Sequence, residues 1–305
     1  MPPSLETLTA PASERVRRWV LGVFPRDRDR IDYEHPEGDP GLFGPDSATW
    51  RIHADFPGML SGGLCALMLQ VLHPLALAGV WDHSNFRTDL VGRLRRTTAF
   101  VAGTTYGARA DAEALIARVA RIHAAVRGVT ADGRPYSAAD PELLTWVHVT
   151  EAYGFLEGYR RYAPVALPAT AADRYYDEVR RVAERLGARD VPASENDIAA
   201  YFARLRAELR FDARSREVLA VLARIRLPVP LAGVSRDTFL GAGAALLPEW
   251  AQAMLAHSRW QRLQAGAASR VLRMLAPMFR TALPDGIAPR ACRRVGVAPE
   301  ILAQW

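Results

Sequence analysis

Two stretches decide the fold: HSNFRTDLVGRLRRTTAFVAGTTYG, residues 83–107, and ARIHAAVRG, residues 120–128. In the first, Thr88 or Asp89 can cap a helix whose apolar stripe runs through Leu90, Leu94, Thr97 and Val101, at helical offsets. In the second, a helix over about 110–127 carries Ile116, Val119, Ile122, His123 and Val126 on one broad face. Both helices put hydrogen-bonding side chains where packing asks for apolar ones. Thr97 lies on its stripe, with Arg93 one turn earlier beside it. His123 lies on its helix's core face, and Arg127 follows one turn on.

Each of these has two readings. An arginine leaning inward needs an anionic or strongly accepting partner, because an unpaired buried charge costs several kcal/mol. The plainer alternative has Thr97 bonding back to the preceding turn while Arg93 reaches solvent. His123 is either a satisfied core histidine or, with Arg127 beside it, a haem ligand whose neighbouring guanidinium meets a propionate. His148 and Glu151 stand three residues apart on a further helix. That pair reads as a supporting hydrogen bond, a distal acid–base pair, or simply a polar helix face.

Outward from these stretches nearly everything has helical period. Asp140-Pro141 is a helix start, Asp at the N-cap and Pro at the first position, after the loop TADGRPYSAADPELL. The helix it opens ends before Pro164, and amphipathic segments follow near 171–186, 195–209 and 212–225. LPVPLAG, residues 227–233, breaks the pattern, and helices resume after Ser235 and after Pro248. Residues 24–49, rich in Pro, Gly and Asp, read as an irregular arm. Strand signals are scarce. The expectation is one all-α domain over residues 1–305: the arm, a core over about 50–226 and a helical cover over about 234–305.

The 305 residues, half of them hydrophobic, suffice for a large core. All 39 basic residues are Arg, a pattern that looks like GC-rich codon usage, so the net charge of +6 is no argument for nucleic acid. The basic runs PRDRDR and RLRR lack the aromatic interleaving of a strand-binding surface. Cys65 and Cys292 form no CxxC pair and no disulfide framework, which points to a reducing compartment. The N-terminal stretch has no apolar signal region, so the expected location is cytoplasmic. Phe56 to Trp81 carries no Asp, Glu or Arg, but it holds Gln70, His73, Pro74 and several glycines. It reads as a helix buried on all sides in a soluble core, so no membrane partner is expected.

Other chemistries lack their residues. There is no HExxH and no paired ExxH. GAGAAL at 241–246 lacks a third Gly and a preceding strand, and GVSRD at 233–237 fails as a nucleophile elbow.

Taken in order, QVLHPLALAGVWDHSNFRTDLVGRLRRTTAFVAGTTYG, IHAAVRG and GRPYSAADPELLTWVH resemble the mpaB-type oxygenase family, in the superfamily of the bacterial latex-clearing protein, a rubber oxygenase. The resemblance covers about residues 50–160 and implies a globin-like helical core with additional helices that binds haem b. By position, His123 falls on the proximal iron ligand, Arg93 and Thr97 on the Arg and Thr near the haem, and Arg127 on the Arg after the ligand. His148 falls on the histidine of the WVH block, and Arg96 stands where rubber oxygenases have a distal Lys. Their distal carboxylate has no counterpart around His73 to Leu77.

The function expected from this is a haem b-dependent oxidoreductase acting on a small apolar or aromatic molecule with O2 or peroxide. Its iron ligand would be His123; Arg93, Arg96 and Arg127 would hold the cofactor; Arg93, Thr97 and His148 would serve catalysis. A haem carrier or gas sensor with the same pocket is the alternative. A membrane-embedded or structural helical protein anchored by residues 56–81 is a third reading.

Overall fold

The computed structural model describes Glu14, Arg17 and Arg18, residues 31–225 and residues 232–305. Among them thirteen α-helices and one two-stranded sheet make an all-α fold. The order is α1 (Ala48–His53), α2 (Phe56–Gln70), α3 (Pro74–His83), α4 (Leu90–Tyr106), α5 (Arg109–Ala125), β1 (Arg127–Val129) and β2 (Pro135–Ser137). Then follow α6 (Pro141–Tyr162), α7 (Ala171–Leu186), α8 (Glu195–Leu205), α9 (Ala213–Ala223) and α10 (Ala232–Ala244). The chain closes with α11 (Glu249–Met254), α12 (Arg259–Thr281), α13 (Ile287–Arg294) and a 3-10 turn, Pro299–Ala303.

The caps lie where short acidic side chains stand before the helical period. Asp89 accepts from the Gly92 amide at 2.9 Å, and Asp140 from the Glu142 amide at 2.8 Å, each satisfying a donor that the first turn leaves free. Asp55 caps α2 by accepting from the Gly58 amide at 2.9 Å, and it also takes the Arg280 guanidinium of α12 at 2.7 Å. One carboxylate thus ties the start of α2 to the end of α12.

The core forms on the contact between α2 and α6. Gly58 faces Gly158 and Gly62 faces Gly154; a Cβ at Gly62 or Gly154 would run into the opposing carbonyl oxygen. These glycines let two backbones touch, and Trp146, Val149, Leu156, Leu69 and Leu72 fill the space beside them, all buried. On the outer side of α2, Gly243 of α10 comes against the Ser61 carbonyl, and α12 packs on α10 in turn.

The structure departs from the sequence expectation in four places. Residues 56–83 are two helices meeting at 103°, because Pro74 starts a new helix with His73 as its cap, and the second helix exposes much of its surface. No single helix among the described residues is long and apolar enough to cross a membrane. The stretch expected as a loop contains β2, paired antiparallel with β1 so that Gly128 faces Tyr136. Its turn holds Asp132-Gly133, with Gly133 at φ +83°, a conformation that favours glycine. The second helix stops at Ala125 rather than 127, and α10 begins at Ala232, before Ser235. PRDRDR, residues 24–30 of the arm and 227–231 of the LPVPLAG break lie outside the described residues.

Candidate functional site

A small, open-mouthed cavity of about 50 Å³ lies between α1, α4, α6 and α7. Its walls are largely apolar, with Phe100, Val101, Phe155 and Val179 among them, and beside three threonines its polar groups are His53, His148, Glu151 and Tyr175. His53, on the short α1, is held at both ends: Nδ1 lies 2.8 Å from the Thr105 hydroxyl and Nε2 lies 2.9 Å from the Tyr175 hydroxyl. His148 differs: its Nε2 is buried without a hydrogen-bond partner among the described residues.

Burial sets the charges here, because taking a charged group out of water disfavours it. It pushes His148 down to about 4. It pushes His53 down to about 3, with His148 nearby adding to the effect. The same burial pushes Glu151 up to about 7, opposed by a hydrogen bond from Gln70. At neutral pH the cavity therefore holds two neutral imidazoles and a carboxyl poised between its two protonation states. Such a carboxyl can accept or release a proton at little cost.

A second group of sequence candidates lies on α4 and α5, which touch and are joined by Gly107-Ala108. His123 is in the last turn of α5 and Arg93 in the first turn of α4. The base of the pair is in the core, but α4 is buried only over Gly103–Tyr106 and α5 only at Ala112 and Ile116. Leu90, Leu94 and Val119 are part-exposed, and Ile122 is 52% exposed.

His123 is part-buried, its Nδ1 is buried without a partner among the described residues, and burial lowers its pKa, so the ring is neutral at pH 7. Arg93 is part-buried too, and burial followed by the nearby Arg96 disfavours its charge. It donates to the Ser84 hydroxyl at 2.7 Å, and no carboxylate among the described residues pairs with it. Arg93 and Val101 are eight residues apart on α4, about 12 Å along the axis, so one helix carries residues of both groups.

The other sequence candidates fall away from these two groups. Thr97 is exposed rather than inward, and its hydroxyl donates to the Arg93 carbonyl at 3.2 Å, the plainer of its two readings. Arg96 is exposed and pairs with Asp89 at 3.3 Å. Arg127 does not follow His123 by a helical turn: α5 has ended, Val126 donates to the His123 carbonyl at 3.0 Å, and Arg127 is exposed on β1. His148 and Glu151 do share one cavity. Sequence reading missed His53, Thr105 and Tyr175, since no local spacing links α1 to α7.

Among the described residues no three His, Cys, Asp or Glu side chains cluster to hold a bare metal ion. The donor set is single imidazoles. A porphyrin-held iron asks the protein for one axial ligand, and its propionates ask for a cation, which is what His123 and Arg93 offer. By residue type, His123 and Arg93 match what a haem asks of a protein.

No curated protein and no solved structure matches the chain. Residues 50–295 match the family described as ER-bound oxygenase mpaB/B'/rubber oxygenase, catalytic domain. That span takes in both groups and every helix from α2 to α13, and the chain belongs to this oxygenase family.

Proposed function

We propose that this oxygenase is haem b-dependent and acts on a small apolar or aromatic molecule with O2 or peroxide. The observation that carries the reading is the neutral His123 ring, whose buried Nδ1 has no partner among the described residues. His123 would hold the iron and Arg93 a propionate, while the exposed Arg96 and Arg127 take no part in holding the cofactor. When bound, haem b supplies an iron that activates dioxygen or peroxide.

The chain's own residues do the rest. Phe100, Val101, Phe155 and Val179 exclude water and fit an apolar substrate. Glu151 takes or returns a proton at its carboxyl, the part that a distal carboxylate near His73–Leu77 would have played. His148 presents a neutral Nε2 to the same space and can pass that proton on. Thr97, engaged with its own helix, offers lone pairs rather than a free proton. The free Cys65 and Cys292 suit a reducing compartment, and we place the protein in the cytoplasm.

Titration of haem-free protein with haemin, followed by quenching of tryptophan fluorescence, tests the reading. Saturation at one haem per chain, lost in His123→Ala and weakened in Arg93→Ala, is expected. Quenching that never saturates, or is identical in both variants, overturns it. Haem binding without substrate-dependent O2 consumption across apolar and aromatic compounds would instead make the protein a carrier or sensor.

A further inference from the structure

The inner face of α12 buries Ala265, Ser269, Leu272 and Ala276 against the body of the protein. Its opposite face carries larger apolar side chains and leaves them in water. Trp260 is 67% exposed, Leu263 66% and Met274 72%, with Val271, Leu275 and Met278 also exposed between and beyond them. At 100° per residue these six fall on one stripe running most of the helix. Single exposed hydrophobics are ordinary, but a continuous stripe marks an interaction surface.

The charges beside the stripe say what it meets. Arg259, Arg262, Arg270 and Arg273 lie on the flank between the buried and exposed faces, and α12 contains no Asp or Glu. None of the four pairs with a carboxylate among the described residues, whereas Arg280 is taken by Asp55 on the inner side. The helix has 23 residues and so presents about 35 Å of surface, most of it before the internal Pro277 near its C-terminal end. A folded partner would need a groove of that length lined with acids. A lipid surface offers apolar depth under a plane of phosphates everywhere, and arginine stems can lie along the boundary while their heads meet the phosphates.

We propose that α12 lays its exposed face on an anionic lipid surface, Trp260, Leu263 and Met274 entering the acyl boundary and the four arginines pairing with headgroup phosphates. The helix lies in the interface and does not span it. This revises the expectation of no membrane partner, which concerned spanning segments alone, and it holds whether or not haem is bound.

Flotation of the full chain with vesicles of phosphatidylcholine, alone or mixed with phosphatidylglycerol, tests it. The protein is expected to float with the mixed vesicles, much less with the neutral ones, and to be released as salt rises. Trp260→Ser/Leu263→Ser/Met274→Ser should abolish flotation, and Arg270→Glu/Arg273→Glu should weaken it about tenfold or more. All five positions are exposed, so both variants should melt like the parent. Three results overturn the proposal: no flotation with either vesicle, equal flotation of parent and triple variant, or a salt-insensitive dimer that the triple variant dissociates. The last would mean that a second copy covers the stripe.

Discussion

Glu151, His53 and His148 share one cavity but respond to pH in opposite senses. Burial lets the folded protein keep the Glu151 proton up to about 7, whereas an ordinary glutamate releases it near 4.5. The folded state therefore binds the extra proton in that window, and this residue makes stability fall as pH rises from 4.5 to about 7. The imidazoles do the reverse. An unfolded chain protonates them below 6.5, while the folded chain resists until about 4 for His148 and about 3 for His53, so their contribution is lost as pH falls. Glu151→Gln removes only the first effect. It should gain on the parent by up to roughly 3 kcal/mol between pH 5 and pH 8 in urea unfolding. An unchanged pH profile would show that the carboxyl is solvated. The spacing of His148 and Glu151 was visible in the sequence, but their titration was not, because the burial comes from α1, α4 and α7. The displacement of Arg127 had a local signal, Asp132-Gly133, which turns the chain into a hairpin.

At the scale of elements, the α2–α6 contact depends on the absence of side chains. Gly154→Ala would press a methyl into the Gly62 carbonyl and force two core helices apart, costing about 2–3 kcal/mol. Thermal unfolding should show this as a lowered midpoint, and a midpoint equal to the parent's would mean that the helices are not in backbone contact. Asp55→Ala removes a cap and leaves Arg280 part-buried without its carboxylate. We expect about 3 kcal/mol lost in chemical denaturation, recovered in part by Arg280→Met in the same chain, whereas additive losses would deny the coupling. Helix starts were legible at Asp140 and at the Thr88-Asp89 pair, where Asp89 proves to be the cap. The bend after Gln70 was legible only as Pro74, and the angle it imposes comes from packing.

Across the whole molecule, helices from distant parts of the chain converge on α2: α6 on one side and α10 with α12 on the other. The expected N-terminal core and C-terminal cover are thus neighbours through one helix, and calorimetry should show a single unfolding transition. Two separated transitions would mean that the cover folds alone. The all-α character and the family blocks could be read from periodicity and motif order. The part-exposure of Leu90, Leu94 and Val119 could not, since it is set by what packs on them from elsewhere in the chain. A group that binds only the folded chain at about a hundredfold above its Kd adds about 2.7 kcal/mol, so haemin should raise the midpoint by several degrees.

The claim on which the rest depends is that His123 is an iron ligand. Its most direct test is the absorption spectrum of protein produced with a haem precursor, for the parent and for His123→Gly with and without added imidazole. We predict a Soret band in the parent, its loss or marked shift in the variant, and its return when imidazole is supplied. A parent without a Soret band, or a variant whose band matches the parent's without imidazole, would contradict the assignment.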